Sequence, residues 1–539
     1  MVRQDGSTTP GPPTPDRRTF LAMTGISAAA FALGIEAPAH ASPTASSVPA
    51  DPFGLGIASG DPTHNGVVLW TRLAPDPLAE DGHGGMPLRD VTVEYEVAAD
   101  ERFSKVVKRG RAVASPELAH AVHPEVKGLR PGREYFYRFR AGREISPVGR
   151  TRTAPARGAA GSLAFAIASC QAWYHGHYTA YRDMAAQDLD LVLFLGDYIY
   201  EYGITAANLW RQGTGGLGRA HAAATVTLEQ YRLRYALTKS DPHLQAAHAA
   251  APWVVTTDDH EVENNYADDN SQYGVAPRDF QRRRAVAYRA WYENQPLSRE
   301  SLPSGPDMRL YRRLRFGRLA EFNVLDTRQY RDNVPSDGGA TGGEHTDPDR
   351  SILGSAQEKW LYKGLRDSEA TWNVLAQQVV MASVDRDTGD GVTYSMDQWD
   401  GFTANRRRLF DTIAEHDVAN PLVLTGDIHR HAAAELKADF GDPDSATIGT
   451  ELVTTSVASD GDGSDSDNLA PIWLGNPHVR LYNARRGYVQ VNMTPSEVTS
   501  DFKVIDQIEA DADGNVTTAA RFVTEAGRPG LEQVAGGVQ

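Results

Sequence analysis

The chain has 539 residues, enough for one large or two unequal domains, and its 41% hydrophobic and 23% charged residues are a globular composition. Its 70 acidic side chains outnumber the 54 basic ones, and the formal charge of −16 excludes nucleic acid as a partner recruited by charge. No stretch holds the roughly 18 consecutive apolar residues of a membrane span, so a soluble mature protein without a stable membrane span, expected as a monomer, is the working class.

Residues 1–41 read as a signal peptide. Asp16-Arg17-Arg18-Thr19-Phe20-Leu21 leads into a mildly apolar run from Leu21 to Ile35, and Ala39-His40-Ala41 is a small-x-small cleavage site. The paired arginines resemble the twin-arginine signal, with Asp16 and Ala22 standing where Ser and Lys are usual, and predict secretion by that pathway. Cys170 is the one cysteine and cannot form an intrachain disulfide, so stability must come from the core and bound ions.

Residues 52–153 contain short alternating runs such as Val91-Thr92-Val93-Glu94-Tyr95-Glu96-Val97, separated by turn residues. The Pro131-Gly132 turn before the aromatic alternation Tyr135, Tyr137, Phe139 resembles fibronectin-type sandwiches, and predicts a small amino-terminal β-sandwich. The Ala, Gly and Arg residues between Ala154 and Gly161 read as a linker.

From 162 to 505 apolar runs of four to seven residues alternate with longer helical segments, one of them Gln281 to Tyr292, which predicts an α/β or α+β layered domain. Five runs end in metal-competent side chains: at Cys170, at Gly196-Asp197, at Asp258-Asp259-His260, at Gln377-Gln378 and at Gly426-Asp427-Ile428-His429. Open α/β sheets place ligand sites beyond the carboxyl ends of their strands, so these endings are expected to meet in one cleft. Residues 506–539 read as a carboxyl-terminal tail. Ser459 to Asp467 is rich in Asp but lacks a full calcium-loop pattern and reads as a solvated loop.

Gly-Asp after a buried strand lets the chain turn sharply while a carboxylate projects into the cleft, where its two oxygens can bridge two cations. Gly196-Asp197, Asp259-His260-Glu261 and Asp427-x-His429 together resemble the signature of the calcineurin-like metallophosphoesterases, with Asp259 where that superfamily has Asn and Asp427 where it has His. Those departures, Cys170, and the segments Gly196-Asp197-Tyr198-Ile199-Tyr200, Ser59-Gly60-Asp61-Pro62, Leu69-Trp70-Thr71-Arg72 and Asp326-Thr327-Arg328-Gln329-Tyr330-Arg331 resemble the PhoD-type alkaline phosphatases. That family also includes secreted phosphodiesterases with phospholipase D activity.

The resemblance implies a hydrolase for phosphate mono- or diesters, with an iron(III) ion next to calcium, Fe3+ and Ca2+. Cys170 thiolate and Tyr200 phenolate are anionic donors suited to trivalent iron, and carboxylate and amide oxygens suit calcium. Cys170, Asp197, Tyr200 and His429 are expected on iron; Asp197, Asp259 and Asp427 on the calcium side; Gln378 or Gln377 and Asn265 as amide contacts. A metal-held hydroxide is expected to attack phosphorus while His260 donates a proton to the leaving oxygen and Arg328 holds a phosphate oxygen. Two other readings fit less of the sequence. A purple-acid-phosphatase-like enzyme matches Asp197-x-x-Tyr200 but not Cys170 or Asp427. A secreted protein that binds phosphate or wall polymer without turnover would have lost ligands that are all present here.

Overall fold

Residues 48–215, 217–336 and 343–536 are described in a computed structural model; the expected signal segment 1–41 lies outside them. The period-two pattern of the central strands decides the layering. In Leu163–Ala168, Phe165 and Ile167 point to one side, into a core shared with Phe322, Val374 and Leu424, whereas Ala166 and Ala168 point to the other, onto Tyr181, Tyr235 and Trp291. A strand covered on both faces needs apolar side chains at every position, which is why these runs are continuous rather than alternating.

Two mixed sheets result, stacked face to face. The first has eleven strands, and its centre is parallel, in the order Leu163–Ala168, Leu191–Phe194, Trp253–Val255, Ile57–Thr63. The second has eight, with Ala320–Val324, Trp372–Ala376, Pro421–Thr425 and Thr447–Val453 parallel at its centre. Helices Thr179–Ala186, Leu228–Lys239, Pro242–Ala250 and Pro277–Asn294 cover the outer face of the first sheet; Gly354–Arg366 and Thr403–Glu415 cover that of the second. The helix expected over 281–292 is Pro277–Asn294, with Pro277 in its first turn and Phe280, Arg284, Ala287, Tyr288 and Trp291 forming its buried stripe.

Two sequence expectations need correction. The 52–153 segment has two β layers around Val67, Leu69, Val93, Val97, Tyr137 and Phe139. One layer is a sheet of its own, built on Val91–Ala98, Val106–Ala114 and Glu134–Ala141, but the other is the end of the eleven-stranded sheet, because Ile57–Thr63 pairs in parallel with Trp253–Val255 at Gly60 and Trp253. It is therefore not a self-contained sandwich. Nor is the described part of 506–539 a tail: Val516–Glu525 and Arg528–Gly536 form a hairpin that extends the same sheet at its far edge and buries Ala520, Phe522 and Leu531 between the sheets. The buried positions of this hairpin are only Ala520, Phe522 and Thr524 in the first strand and Leu531 in the second, too sparse a pattern to stand out in a hydrophilic stretch.

Candidate metal centre

The carboxyl ends of the parallel strands of both sheets open on one rim, and the loops leaving them interlock through their backbones. Cys170 N–H donates to Gly196 O at 3.0 Å, Gln171 N–H to Asp197 O at 3.0 Å, and Ser169 pairs with Ser456 across the two sheets. Such close approach needs glycine at two points. A Cβ on Gly196 would lie 2.4 Å from that of Asp258, and one on Gly426 would lie 2.7 Å from the Ser169 side chain. The turns also force left-handed backbone on the residues that present the donors: Cys170 at φ 58°, Asp197 at 61°, Asp427 at 67° and His429 at 56°. Each such position costs a non-glycine residue of the order of 1–2 kcal/mol, and their concentration here marks a site the rest of the fold over-determines.

Three donor groups overlap. Cys170, Asp197 and His429 bring ligand atoms within 4.8 Å of one another, as do Asp197, Asp259 and His260, and likewise Asp258, Asp259 and Asp427. Asp197 is shared by the first two and Asp259 by the last two, so the donors form one continuous chain. Tyr200 joins the first: its hydroxyl donates to Asp197 at 2.9 Å, lies 2.8 Å from His429 Nε2 and accepts from Ser459 Oγ at 2.8 Å.

The electrostatics of this chain call for positive charge. Asp197, Asp258 and Asp259 are each at most 2% exposed, and Asp258 Oδ2 and Asp259 Oδ1 are buried with no hydrogen-bond partner. Burial, reinforced by the neighbouring carboxylates against the pull of His260, holds the Asp197 carboxyl well above its ordinary range. Burial, then the charge of Asp197, likewise raises the Cys170 thiol and the Tyr200 phenol. Asp259 goes the other way: burial works to raise it, but Arg328 and His260 outweigh that and hold it below the usual carboxylate range. Acidic groups removed from water and only partly paired are tolerated when a cation replaces the lost solvation, and these donors fit one.

The carboxylates and rings are held from behind. Glu261 accepts from three backbone N–H groups, Asp197 at 3.1 Å, Tyr198 at 2.7 Å and Asp258 at 2.9 Å, tying two of the loops together. Glu201 lies 2.7 Å from His260 Nδ1, and Asp460 lies 2.9 Å from His429 Nδ1. Gln398 Nε2 donates to Asp427 at 2.7 Å. The sequence reading singles out neither Glu201 nor Gln398, and takes Asp460 only as part of the acidic loop. Glu201 follows Tyr200 directly and could have been suspected; Gln398 sits 29 residues before its partner, where spacing carries no signal.

The acidic loop is a correction. Ser459 Oγ reaches Tyr200, Asp460 holds His429, Asp462 accepts the Ile508 and Glu509 N–H groups at 2.6 and 2.9 Å, and Asp467 pairs with Arg430 at 2.9 Å, so Ser459 and Asp460 wall the centre while residues 463–466 of the loop stay exposed. Gln378 departs from its expected role too. Its Oε1 accepts from Thr327 N and Oγ1 at 3.1 and 2.6 Å, and its Nε2 donates to Thr256 Oγ1 and Leu325 O, both at 2.9 Å, which leaves no amide group for a ligand. Gln377 is similarly spent on Val379, Thr425 and Trp399. Asn265 contributes its backbone N–H, which donates to Asp259 at 2.6 Å. Arg328 is fully buried and faces carboxylates only: Asp258 at 2.5 Å, Asp397 at 2.9 Å, Asp427 at 3.6 Å and Asp259 at 3.7 Å. That geometry makes it a counter-charge behind the donors where the sequence suggests a phosphate clamp, with Nη2 left without a hydrogen-bond partner.

Comparison with known proteins places this arrangement. The family model described as PhoD-like phosphatase matches residues 165–502, and that of its N-terminal domain matches residues 38–155. Alkaline phosphatase D of Bacillus subtilis (strain 168) is 46% identical over 530 residues, 96% of this chain and 89% of that protein. A solved structure titled as that of PhoD superposes with a TM-score of 0.86 at 48% identity, covering 90% of this chain and 93% of the other. The purple acid phosphatase PPD1 of yellow lupin (Lupinus luteus) shares the fold alone, with a TM-score of 0.53 at 12% identity over 88% of this chain and 74% of its own.

Proposed function

From the premise that the chain belongs to the PhoD-like phosphatase family and is a phosphoester hydrolase, we propose that Cys170, Asp197, Tyr200 and His429 hold an iron(III) ion and that Asp197, Asp259 and Asp427 hold calcium. The observation that carries this reading is the continuity of the donor groups, each sharing one aspartate with the next. Thiol, phenol and imidazole on one side suit a trivalent transition metal, and a carboxylate-only set on the other suits a hard cation. Bound there, the two cations supply Lewis acidity for water and for the phosphoryl oxygens.

The protein groups do the rest. Glu201 fixes His260 through Nδ1 and leaves Nε2 to protonate the leaving oxygen. Burial alone would lower the His260 pKa, but Asp259, Glu201 and Asp197 together raise it well above the ordinary histidine value. Arg328 pairs with Asp258 at 2.5 Å and helps hold the Asp259 carboxyl below its ordinary range. The substrate class covers monoesters and diesters, phospholipid headgroup diesters included. Arg17-Arg18 and Ala39-His40-Ala41 support export of the folded monomer through the twin-arginine pathway.

The test is metal content and turnover measured together. Asp197→Asn protein should lose both iron and calcium by elemental analysis and hydrolyse p-nitrophenyl phosphate at least about 10²-fold more slowly. Full metal content with full activity would overturn the assignment.

A further inference from the structure

Beside the donor chain lies a small cavity of about 220 Å³ whose walls include Val380, Ala382, Val384, Ile428, Leu469 and Trp473. Ile428 stands between Asp427 and His429 in the chain, and Gln398, another lining residue, donates to Asp427. The cavity is thus one side chain from the proposed calcium ligands.

Of its polar lining, Gln398, Asp400 and Arg430 are already spent on the protein, while Arg386 and Ser395 complete the wall. Gln398 Oε1 accepts the Val380 N–H at 2.5 Å. Asp400 accepts from Ser383 Oγ and Arg406, both at 2.7 Å, and from Val384 N at 3.0 Å. Arg430 pairs with Asp467 and, at 3.5 Å, with Asp460. What remains to meet a ligand is mainly aliphatic and indole surface, with Arg386 and Ser395 at its polar part. The volume lies below the 300 Å³ or so at which pockets take up a whole drug-sized molecule, and suits one compact substituent.

Neither His260 nor Glu201 lines this cavity. A leaving group protonated by His260 must lie at His260, so a group in the cavity is one that stays on phosphorus. Resting on the phosphoester-hydrolase reading above, we propose that the cavity is a subsite for the retained ester group of a phosphodiester, and that this group is compact and apolar, an aryl or short alkyl chain. Val384, Leu469 and Trp473 then select the substrate, while the donor chain carries out the reaction on any ester presented to it.

Two diesters with the same leaving group separate the possibilities: methyl p-nitrophenyl phosphate and phenyl p-nitrophenyl phosphate, assayed on metal-loaded full-length protein. The expected result is a kcat/KM for the phenyl ester about tenfold or more above that for the methyl ester, since apolar pockets discriminate on this scale. Leu469→Trp, which fills the cavity, should bring the ratio toward one, and Trp473→Ala should lower it by removing a wall. Equal rates for the two esters in the parent protein, or a ratio unmoved in both variants, would overturn the subsite while leaving the hydrolase reading intact. Hydrolysis of neither ester, nor of p-nitrophenyl phosphate, would overturn both.

Discussion

A carboxylate oxygen of Glu201 lies 2.7 Å from Nδ1 of His260, and both residues are buried beside Asp197. The carboxylate sets the ring orientation and assigns the transferable proton to the far nitrogen, the arrangement that makes an imidazole a directed acid. Glu201→Gln should therefore reduce kcat by about 10–100-fold with KM nearly unchanged, because the effect falls on proton transfer rather than on substrate binding. Steady-state kinetics on metal-loaded protein decide it; a purely structural role would change stability and leave kcat alone.

Asp460 does for His429 what Glu201 does for His260. Partners of this kind set the tautomer and basicity of a ligating imidazole, and their loss costs about 10–100-fold in metal affinity. Asp460→Ala should show that loss as iron released to a chelator at lower concentration, with the fold unchanged by circular dichroism.

Tyr200 gives the iron assignment an optical readout. A ferric phenolate absorbs visible light, so loaded protein should show a phenolate-to-iron charge-transfer band that Tyr200→Phe abolishes. Retention of the band in the variant would remove Tyr200 from the ligand set, and the Tyr200 hydroxyl contacts to Asp197, His429 and Ser459 would then be its whole contribution.

His248 predicts acid sensitivity away from the centre. Its ring stacks on Trp253 at 3.8 Å and its Nε2 lies 2.8 Å from the Tyr198 hydroxyl. Burial, then the nearby Lys239, holds its pKa well below the ordinary histidine value. The folded state therefore binds fewer protons than the unfolded state below the unfolded pKa of about 6.5. The neutral ring's contribution is fully present above that pH and declines as pH falls below it, by at most about 1.4 kcal/mol per unit. In denaturant titrations from pH 7 to 5, His248→Gln should flatten the slope of stability against pH, whatever it does to stability at pH 7.

Gly196→Ala isolates the cost of the turn. The new Cβ would meet Asp258 at 2.4 Å on a backbone at φ 108°, so the loop carrying Asp197 must move away from the one carrying Asp258 and Asp259. We expect a loss of more than about 1 kcal/mol in stability, together with weakened binding of both metals. A variant that melts normally and retains its metals would show that the loops tolerate separation.

The donor residues were legible because each follows an uninterrupted apolar run, and such runs in a chain of this composition are buried parallel strands whose ends share a rim. Cys170, Asp197, Asp259, Asp427 and His429 all satisfy that rule, and Tyr200 follows within one turn of Asp197. Local pattern also located the Pro277–Asn294 helix, whose apolar stripe repeats at the helical period.

The sequence by itself thus determined which side chains could be metal ligands, since residue type and position after a strand are properties of neighbours in the chain. Only the tertiary structure decided how each was supported. Glu201 behind His260, Asp460 behind His429 and Gln398 behind Asp427 are contacts between separate loops, and no local periodicity records them. The same holds for Gln378 and Arg328, whose types suit a ligand or a phosphate clamp until the folded chain surrounds the amide with its own donors and acceptors and the guanidinium with four carboxylates. Residue chemistry sets what a group can bind; packing sets what is left unbound when the chain has satisfied itself.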